Sequence, residues 1–420
     1  MPTTVLSRTA NRVVTAGAEG LALAANAWSR LEQVADPRSR RGRVYPLECL
    51  LAMVLCALTA AGHDRLSAVG QWLARPAKPI WPGYGHPTTR PPAATGRPRK
   101  KMVRVLLDRL DPAALTAALL ASASDPTPAA GSNASSPSRA ASRSVRAYPA
   151  RRRDRQAQQA ARRLPAVAVD GKSCRGARGG DGRRVHLLGL AEHGGGLLDQ
   201  VEVGAKRNET GHFRPLLQGK DLTGVVVTFD ALHTVRSNLD WLVDNKKAHY
   251  VAVVKRNQPL LHARLAGLPW SRVATGHIIR ESGHGRDETR SLKTVSCDQL
   301  DFPHAQQAVK IIRWRRDQTT GRVCRETVYA VTSLATTAAT PADLARLARE
   351  HWHIEAHHHI RDVSFGEDGS TSRTSHGPVN LATLRAAVIA AIRRAGYLHV
   401  PESRRDHTTP AEAIRLHHLD

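Results

Sequence analysis

The chain is short of acidic residues and cysteines, and each shortage narrows the class of protein. Its 420 residues carry 36 Asp and Glu against 62 Lys and Arg, which leaves a formal net charge of +26. The five cysteines are scattered without the close CxxC pairs of zinc sites or disulfide frameworks, which fits a reducing compartment. The basic excess favours a polyanionic partner, first of all nucleic acid. Arginine is spread along the whole chain, so charge alone marks no binding face.

Long apolar runs are also missing. The longest covers residues 47–61 and includes Glu48, whereas a membrane-spanning helix needs about 20 apolar residues. The N-terminus has no signal-peptide pattern. We therefore expect a cytoplasmic protein without a membrane partner, and a buried helix in place of the apolar run.

Changes in composition divide the chain into six predicted segments. The first is helical with basic loops, and it is either a DNA-binding domain or a structural cap for the next domain. An Ala-, Ser-, Pro- and Arg-rich linker comes next, and then strands, short alternating strands, helices and a polar end. The predicted segments are a helical domain over 1–122, a flexible basic linker over 123–163, a first core part over 164–258, a β-rich insertion over 259–340, a last core part over 341–397 and a loose tail over 398–420.

Two aspartates end apolar strands in the first core part. Asp170 closes the run PAVAVD, and Asp230 closes the run GVVVTFD. The order of strands and helices predicts a mixed α/β sheet of the RNase H-like kind, in which the first and fourth strands are neighbours and the two carboxylates converge. A single aspartate at a strand end is more often a turn former, so the argument depends on the pair.

A histidine-rich stretch supplies a third acid. Residues 349–368 read REHWHIEAHHHIRDVSFGED, with no proline or glycine before Gly366, so a helix is expected to about Val363. Steps of three and four place His351, Glu355, His358 and Asp362 on one face. A solvated surface helix is the plainer alternative. Together with the two aspartates, Glu355 would complete a set of oxygen ligands suited to Mg²⁺ or Mn²⁺.

Several blocks carry a resemblance to a known family. They are VAVDGKSCRGAR, VVTFDALHT, VAVVKRNQP, GHGRDETR, REHWHIEAHHHIRDVSFGED and SRTSHGPVNLATLRAA. Over roughly residues 30–397, apart from the linker, the chain resembles the DDE transposases of ISAs-type bacterial insertion sequences. The resemblance implies an RNase H-like domain with a β insertion and a divalent-metal triad at Asp170, Asp230 and Glu355. It also implies terminal-inverted-repeat and target DNA as partners, a homo-oligomer on DNA, and a place at the bacterial nucleoid.

Other polar residues are predicted to contact DNA. Lys172 would share a strand face with Asp170, and the Gly-His-Gly-Arg turn is either a close approach to DNA or a tight hairpin. The predicted DNA contacts are Lys172, Lys206, Asn208, Lys255, Asn257, Gln258, His284, Arg286, Arg349 and Trp352. Three functions fit these residues. They are a transposase, a nuclease that cuts without joining, and a DNA-binding relic of a transposase.

Overall fold

The computed structural model describes residues 27–41, 43, 45–74, 100–120, 163–179, 181–204, 209–283, 285–297 and 300–419. Nearly all of the predicted linker lies outside these residues. The predicted DNA contacts Lys206, Asn208 and His284 also lie outside them.

In the described part of the chain, nine strands form one mixed sheet, as the predicted α/β class requires. The order across the sheet is β3-β2-β1-β4-β5-β9-β8-β7-β6. β1 runs parallel to β4, and β4 runs parallel to β5, whereas the other neighbours are antiparallel. The strands are β1 (Ala166–Arg178), β2 (Arg184–Glu192), β3 (Leu197–Glu202), β4 (Val226–Phe229), β5 (His249–Val254), β6 (His277–Gly283), β7 (Arg286–Ser296), β8 (Gln307–Asp317) and β9 (Val323–Thr332).

Helices cover both faces of the sheet. None of those in the described part of the chain combines the length and apolar character that a bilayer-spanning segment requires. They are α1 (Ala27–Glu32), α2 (Leu47–Thr59), α3 (Leu66–Ala74), α4 (Lys100–Arg109), α5 (Pro112–Leu120), α6 (Phe213–Gln218), α7 (Arg236–Asp244), α8 (Pro259–Ala266), α9 (Pro341–Glu350), α10 (Trp352–Phe365), α11 (Gly377–Arg394), α12 (Val400–Asp406) and α13 (Pro410–Leu416).

The central strands are buried on both sides, which explains their continuous apolar sequences. Val167 and Val169 of β1 pack with α6 to α8 on one face of the sheet. Ala166 and Ala168 point the other way, toward the side covered by α9 to α11. Because successive side chains alternate, Asp170 also projects to the second side.

The β-rich segment continues the central sheet. β9 pairs antiparallel with β5, from Val251 opposite Thr332 to Val254 opposite Tyr329, and β8, β7 and β6 follow outward. The segment also contains the helix α8. The strands expected as an insertion therefore lie in the same sheet as the core, where pairing by β9 covers the edge that β5 would otherwise expose.

The first helical segment is docked on the C-terminal part of the chain. Buried residues of α2, α4 and α5 share one apolar cluster with α11. The side-chain amide of Asn380 on α11 donates to the carbonyl oxygens of Leu107 at 2.8 Å and Leu110 at 3.0 Å. α11 is buried on all sides because its apolar residues meet both the sheet and these helices.

The end of the chain differs from the loose tail expected over 398–420. Residues 400–406 and 410–416 are helices, and Thr409 and Glu412 form a capping box at the start of α13. Ile414, Leu416 and Leu419 are buried against the helical cluster. The polar composition was misleading, because these few apolar side chains suffice to anchor the segment.

The histidine-rich stretch is divided between two helices. α9 ends at Glu350, and α10 runs from Trp352 to Phe365, with His351 at the junction. The helix expected through this stretch is therefore present on both sides of His351, but it is interrupted there. From Glu355 onward the expected helical face is present, and it ends at Gly366, whose φ of 56° is a left-handed conformation that suits glycine.

Candidate active site

The three predicted acids lie at one end of the parallel strands. The parallel pairing of β1 with β4 ends at Val169 opposite Phe229, and Asp170 and Asp230 come directly after this pair. Asp230 follows the last residue of β4, as expected, but β1 continues past Asp170 to Arg178 because it stays paired with β2, so the strand end expected at Asp170 was wrong. Both project toward the face of the sheet that α10 covers, where Glu355 lies on the first turn of that helix. Sequence reasoning had placed all three at this end of the sheet.

The acids act on one another electrostatically. Partial removal from water raises the pKa of Glu355, and the negative charges of Asp170 and Asp230 raise it further, while Lys255 opposes them. Such a set of hard oxygen donors with converging negative charge fits Mg²⁺ or Mn²⁺. Their ligand atoms do not all lie within 4.8 Å of one another.

Among the described residues, the tighter group is a surface one. Ligand atoms of Asp240, Asp244 and His304 all lie within 4.8 Å of one another, and all three residues are exposed. His304 is 3.6 Å from Asp240 and 3.3 Å from Asp244. This group lies on the helix α7 and a nearby loop, and it was not predicted from the sequence. Exposed acidic groups alone define no function.

The α10 face predicted from the sequence contacts β1. Nδ1 of His358 lies 3.4 Å from Oδ2 of Asp170. Burial lowers the pKa of His358, although Asp170 opposes that shift. One helical turn later, Asp362 accepts a hydrogen bond from Lys172 at 2.6 Å. The spacing of His358 and Asp362 therefore aligns α10 with the middle of β1, at Asp170 and Lys172.

Lys172 lies on the predicted face of β1, but it is paired with an acid of α10. It shares the sheet face of Asp170, but its side chain is only 5% exposed and is paired with Asp362. Its ammonium group also lies 3.9 Å from Glu367. Because its ammonium group is buried and paired, the structure assigns Lys172 a role in holding α10 against β1, and its contact with DNA stays a prediction.

Asn257 and Gln258 support the loop that follows Asp230. The amide of Asn257 donates to the carbonyl oxygen of Ala231 at 2.8 Å, and the amide of Gln258 donates to that of Thr234. Oδ1 of Asp230 accepts the backbone N–H of Leu232 at 2.9 Å. Both amides, predicted to contact DNA, are used to shape the turn that presents Asp230.

Thr228 and two histidines form a polar layer that sequence reasoning did not identify. Oγ1 of Thr228 is 2.8 Å from Nε2 of His193 and 3.0 Å from Nδ1 of His351. Burial lowers the pKa of His351 to about 4, so its ring is neutral at pH 7. The only sequence signal was the position of Thr228, two residues before Asp230 on the same strand face.

A cavity of about 250 Å³ opens beside the acids. Asp230 and Glu355 line this cavity, together with Lys255, Arg349 and Trp352. Three predicted DNA contacts thus lie at the cavity. The guanidinium of Arg349 donates to Glu281 at 2.6 Å, and that of Arg313 lies 5.4 Å from the ring centre of Trp352. Arg286 is 48% exposed, at the start of β7 and 4.0 Å from Glu288.

A buried network of ion pairs links α10 to the turn that follows it and to α11. Glu367 is 2% exposed and pairs with Arg361 at 2.8 Å and with Arg385 at 3.1 Å. Burial alone would raise the pKa of Glu367, but the two guanidinium groups outweigh it and lower the pKa to about 2. Sequence reasoning missed this network because its members lie on α10, the following turn and α11.

Comparisons with known proteins agree with this arrangement. Residues 161–390 match the model of the Transposase DDE domain, and residues 28–122 match a model described as DDE_Tnp_1-associated. The protein named "Putative transposase YncI" of Escherichia coli O157:H7 is 25% identical over 244 residues, which cover 54% of this chain and 61% of that relative. The first match spans more than half of the chain and includes Asp170, Asp230 and Glu355, and the chain therefore belongs to the Transposase DDE domain family.

Proposed function

We propose that the protein is a transposase that cleaves DNA at the ends of an insertion sequence and joins them to target DNA. The observation that supports this proposal is that Asp170, Asp230 and Glu355 face the same side of the sheet where the parallel pairing of β1 with β4 ends. These acids come from neighbouring parallel strands and a helix, and the charge of each aspartate raises the pKa of Glu355.

The three carboxylates would hold Mg²⁺ or Mn²⁺. When bound there, such ions activate water and stabilise the leaving oxygen of a phosphodiester. The protein's own groups supply the geometry of this site. The Leu232 N–H fixes one oxygen of Asp230, and His358 lies against Asp170. His351 is neutral, so it adds no positive charge to compete with a cation.

Exposed basic groups around the cavity support a DNA substrate. Lys255 is exposed and lies in the same cavity wall as Glu355. Phosphate contacts by such residues position a duplex without reading its sequence. End recognition is therefore assigned to another surface, and pairing of two ends by more than one copy of the chain stays a prediction.

The cleavage test uses the full-length protein and a duplex carrying the inverted repeat beside its coding sequence. Asp170→Ala, Asp230→Ala and Glu355→Ala should each slow cleavage by more than about 100-fold, because the metal contributes several kcal/mol to transition-state stabilisation. DNA binding in Ca²⁺ should stay near the wild-type level. Asp240→Asn, in the surface acidic group, is the matched control and should cut normally. Wild-type cleavage by Asp230→Ala, or in excess EDTA, would reject the proposal.

Joining separates a transposase from a nuclease of the same fold. The substrate is a pre-cut end with a free 3′-hydroxyl, incubated with supercoiled plasmid and Mg²⁺ or Mn²⁺. A transposase converts the plasmid to relaxed and linear products that carry the labelled end. Efficient cutting of intact ends without any joined product would favour the nuclease.

A further inference from the structure

A fourth carboxylate lies beside the middle of β1, next to Asp170. Glu209 begins a short 3₁₀ turn, Glu209–Gly211, and its side chain is 19% exposed. Its carboxylate packs over Gly171, the residue after Asp170. A Cβ added to Gly171 would lie 2.5 Å from Oε2 of Glu209 and 2.6 Å from Oε1. The carboxylate therefore occupies a space that exists because residue 171 has no side chain.

Two histidines bind the two oxygens of this carboxylate. Oε1 of Glu209 is 2.5 Å from Nε2 of His186, and Oε2 is 3.2 Å from Nε2 of His233. His186 is on β2, where its Nδ1 lies 2.8 Å from Oγ of Ser173 on β1. These hydrogen bonds, first that of His186 and then that of His233, lower the pKa of Glu209 to about 2, so the group is ionised at neutral pH.

His233 connects Glu209 to the second aspartate. Its backbone N–H donates to the carbonyl oxygen of Asp230 at 3.2 Å, so it belongs to the turn that Asp230 begins. Its ring is 1% exposed and stacks on Phe213 with the ring centres 5.5 Å apart. Glu209 thus contacts the backbone next to Asp170 and the turn that carries Asp230.

Glu209 lies on the opposite face of the sheet from the triad. Asp170 and Gly171 are successive strand residues, so they face opposite sides. Glu209 packs on the face of the sheet toward which Gly171 points, and the helix α6, which begins at Phe213, lies on the same face. Glu355 lies on α10, which covers the opposite face, where Asp170 points. With both oxygens taken by histidines, Glu209 is poorly placed to bind a metal ion with the triad or to contact DNA phosphate.

We propose that Glu209 is a positioning residue, which fixes the separation of Asp170 and Asp230 by joining His186 and His233 beneath Gly171. It would thereby set the affinity of the triad for a divalent cation. The inference rests on the proposed function, because it takes Asp170 and Asp230 to be metal ligands.

The first test measures Mn²⁺ affinity of the full-length protein by electron paramagnetic resonance, without DNA or turnover. Glu209→Gln should bind Mn²⁺ about tenfold more weakly, the scale typical of residues that orient metal ligands. Hydrogen exchange over residues 230–234 should be faster in this variant. The matched control is Asp199→Asn. It neutralises another partly exposed carboxylate that is paired, here with Lys220 at 2.6 Å. The control should leave both measurements unchanged.

Two results would overturn the proposal. One is wild-type Mn²⁺ affinity and exchange in Glu209→Ala. The other is complete loss of Mn²⁺ binding in Glu209→Gln with unchanged exchange, which would make Glu209 a ligand. If Asp170→Ala and Asp230→Ala keep wild-type Mn²⁺ binding, the metal site of the proposed function fails instead. If Asp170→Ala and Asp230→Ala lose Mn²⁺ binding but the Glu209 variants keep it, the positioning role of Glu209 is rejected and the proposed metal site stands.

A double-mutant cycle keeps the test independent of general destabilisation. Gly171→Ala should weaken Mn²⁺ binding, because the new Cβ displaces the Glu209 carboxylate from its histidines. In a Glu209→Ala background the same substitution should cost little more, since the displaced group is absent. If the losses of Mn²⁺ affinity in the two single variants add fully in the double variant, the contact between residues 171 and 209 is not the cause of the weaker binding.

Discussion

At the residue scale, the ionised Glu355 that a metal ion would need is destabilising in the metal-free protein, because partial burial disfavours its charge and two aspartates repel it. Much of its surface is exposed, but partial removal from water raises its pKa above the ordinary value of 4.5, and the two nearby aspartates raise it further. A raised pKa means that the folded chain binds the proton more tightly than the unfolded chain does. The stability contributed by this carboxyl is therefore present below pH 4.5 and is lost as the pH rises through the raised pKa.

We expect Glu355→Gln to raise the thermal midpoint of the metal-free protein slightly at pH 7. The substitution removes a charge that the two aspartates repel, and solvent screening keeps the gain small. At pH 4 the difference should shrink toward zero. Calorimetry in EDTA at both pH values checks this, with the exposed Glu402→Gln as control. A lower midpoint for Glu355→Gln at pH 7 would contradict the electrostatic account.

At the element scale, α10 is held in place by the buried Glu367. This side chain neutralises Arg361 and Arg385, which are each 1% exposed. Removing its charge leaves two buried guanidinium groups unpaired, which typically costs about 3–5 kcal/mol. Because pairing lowers the pKa of Glu367 from 4.5 to about 2, its stabilisation is present above pH 4.5 and is lost as the pH falls toward 2.

Glu367→Gln should therefore lower the free energy of unfolding by about 3–5 kcal/mol at pH 7. The deficit relative to wild type should narrow at pH 3, because below pH 4.5 the unfolded wild type binds a proton at Glu367 that the folded wild type largely does not. Urea unfolding at the two pH values measures both quantities, again against Glu402→Gln. A deficit of the same size at both pH values would show that lost packing, and not lost charge, is the cause.

At the scale of the whole molecule, the first and last helices form one unit with the sheet. Buried side chains of α2, α4 and α5 pack on α11, and Nε2 of His417 near the end of the chain lies 2.8 Å from Oγ1 of Thr59. The first helical segment is therefore not an independent module, although sequence composition had divided it from the core.

Cutting the chain between these parts should leave them together. We expect a site-specific protease site introduced within residues 123–163 to yield two pieces that co-elute on size exclusion, because their shared apolar surface stays buried. Thermal unfolding of the nicked protein should show one transition. Separate elution of the two pieces under native conditions would mean that the helical contacts are weak.

Local patterns predicted part of this structure, and distant contacts account for the rest. Asp170 and Asp230 were predictable as candidates, because an apolar run that ends in an acid is visible within seven residues of sequence. Lys172 was not, since its partner Asp362 is 190 residues away. The same limit applies to Glu367, whose burial depends on α11, and to Glu209, whose position depends on the packing of β2 and the Asp230 turn.

The most direct test of the central claim is anomalous diffraction from crystals soaked in Mn²⁺. The account predicts a strong peak bounded by the carboxylates of Asp170, Asp230 and Glu355, which disappears in Asp230→Ala crystals. A peak at Asp240, Asp244 and His304 alone, with none beside Asp170 in the wild-type protein, would contradict the assignment of the triad as the metal site.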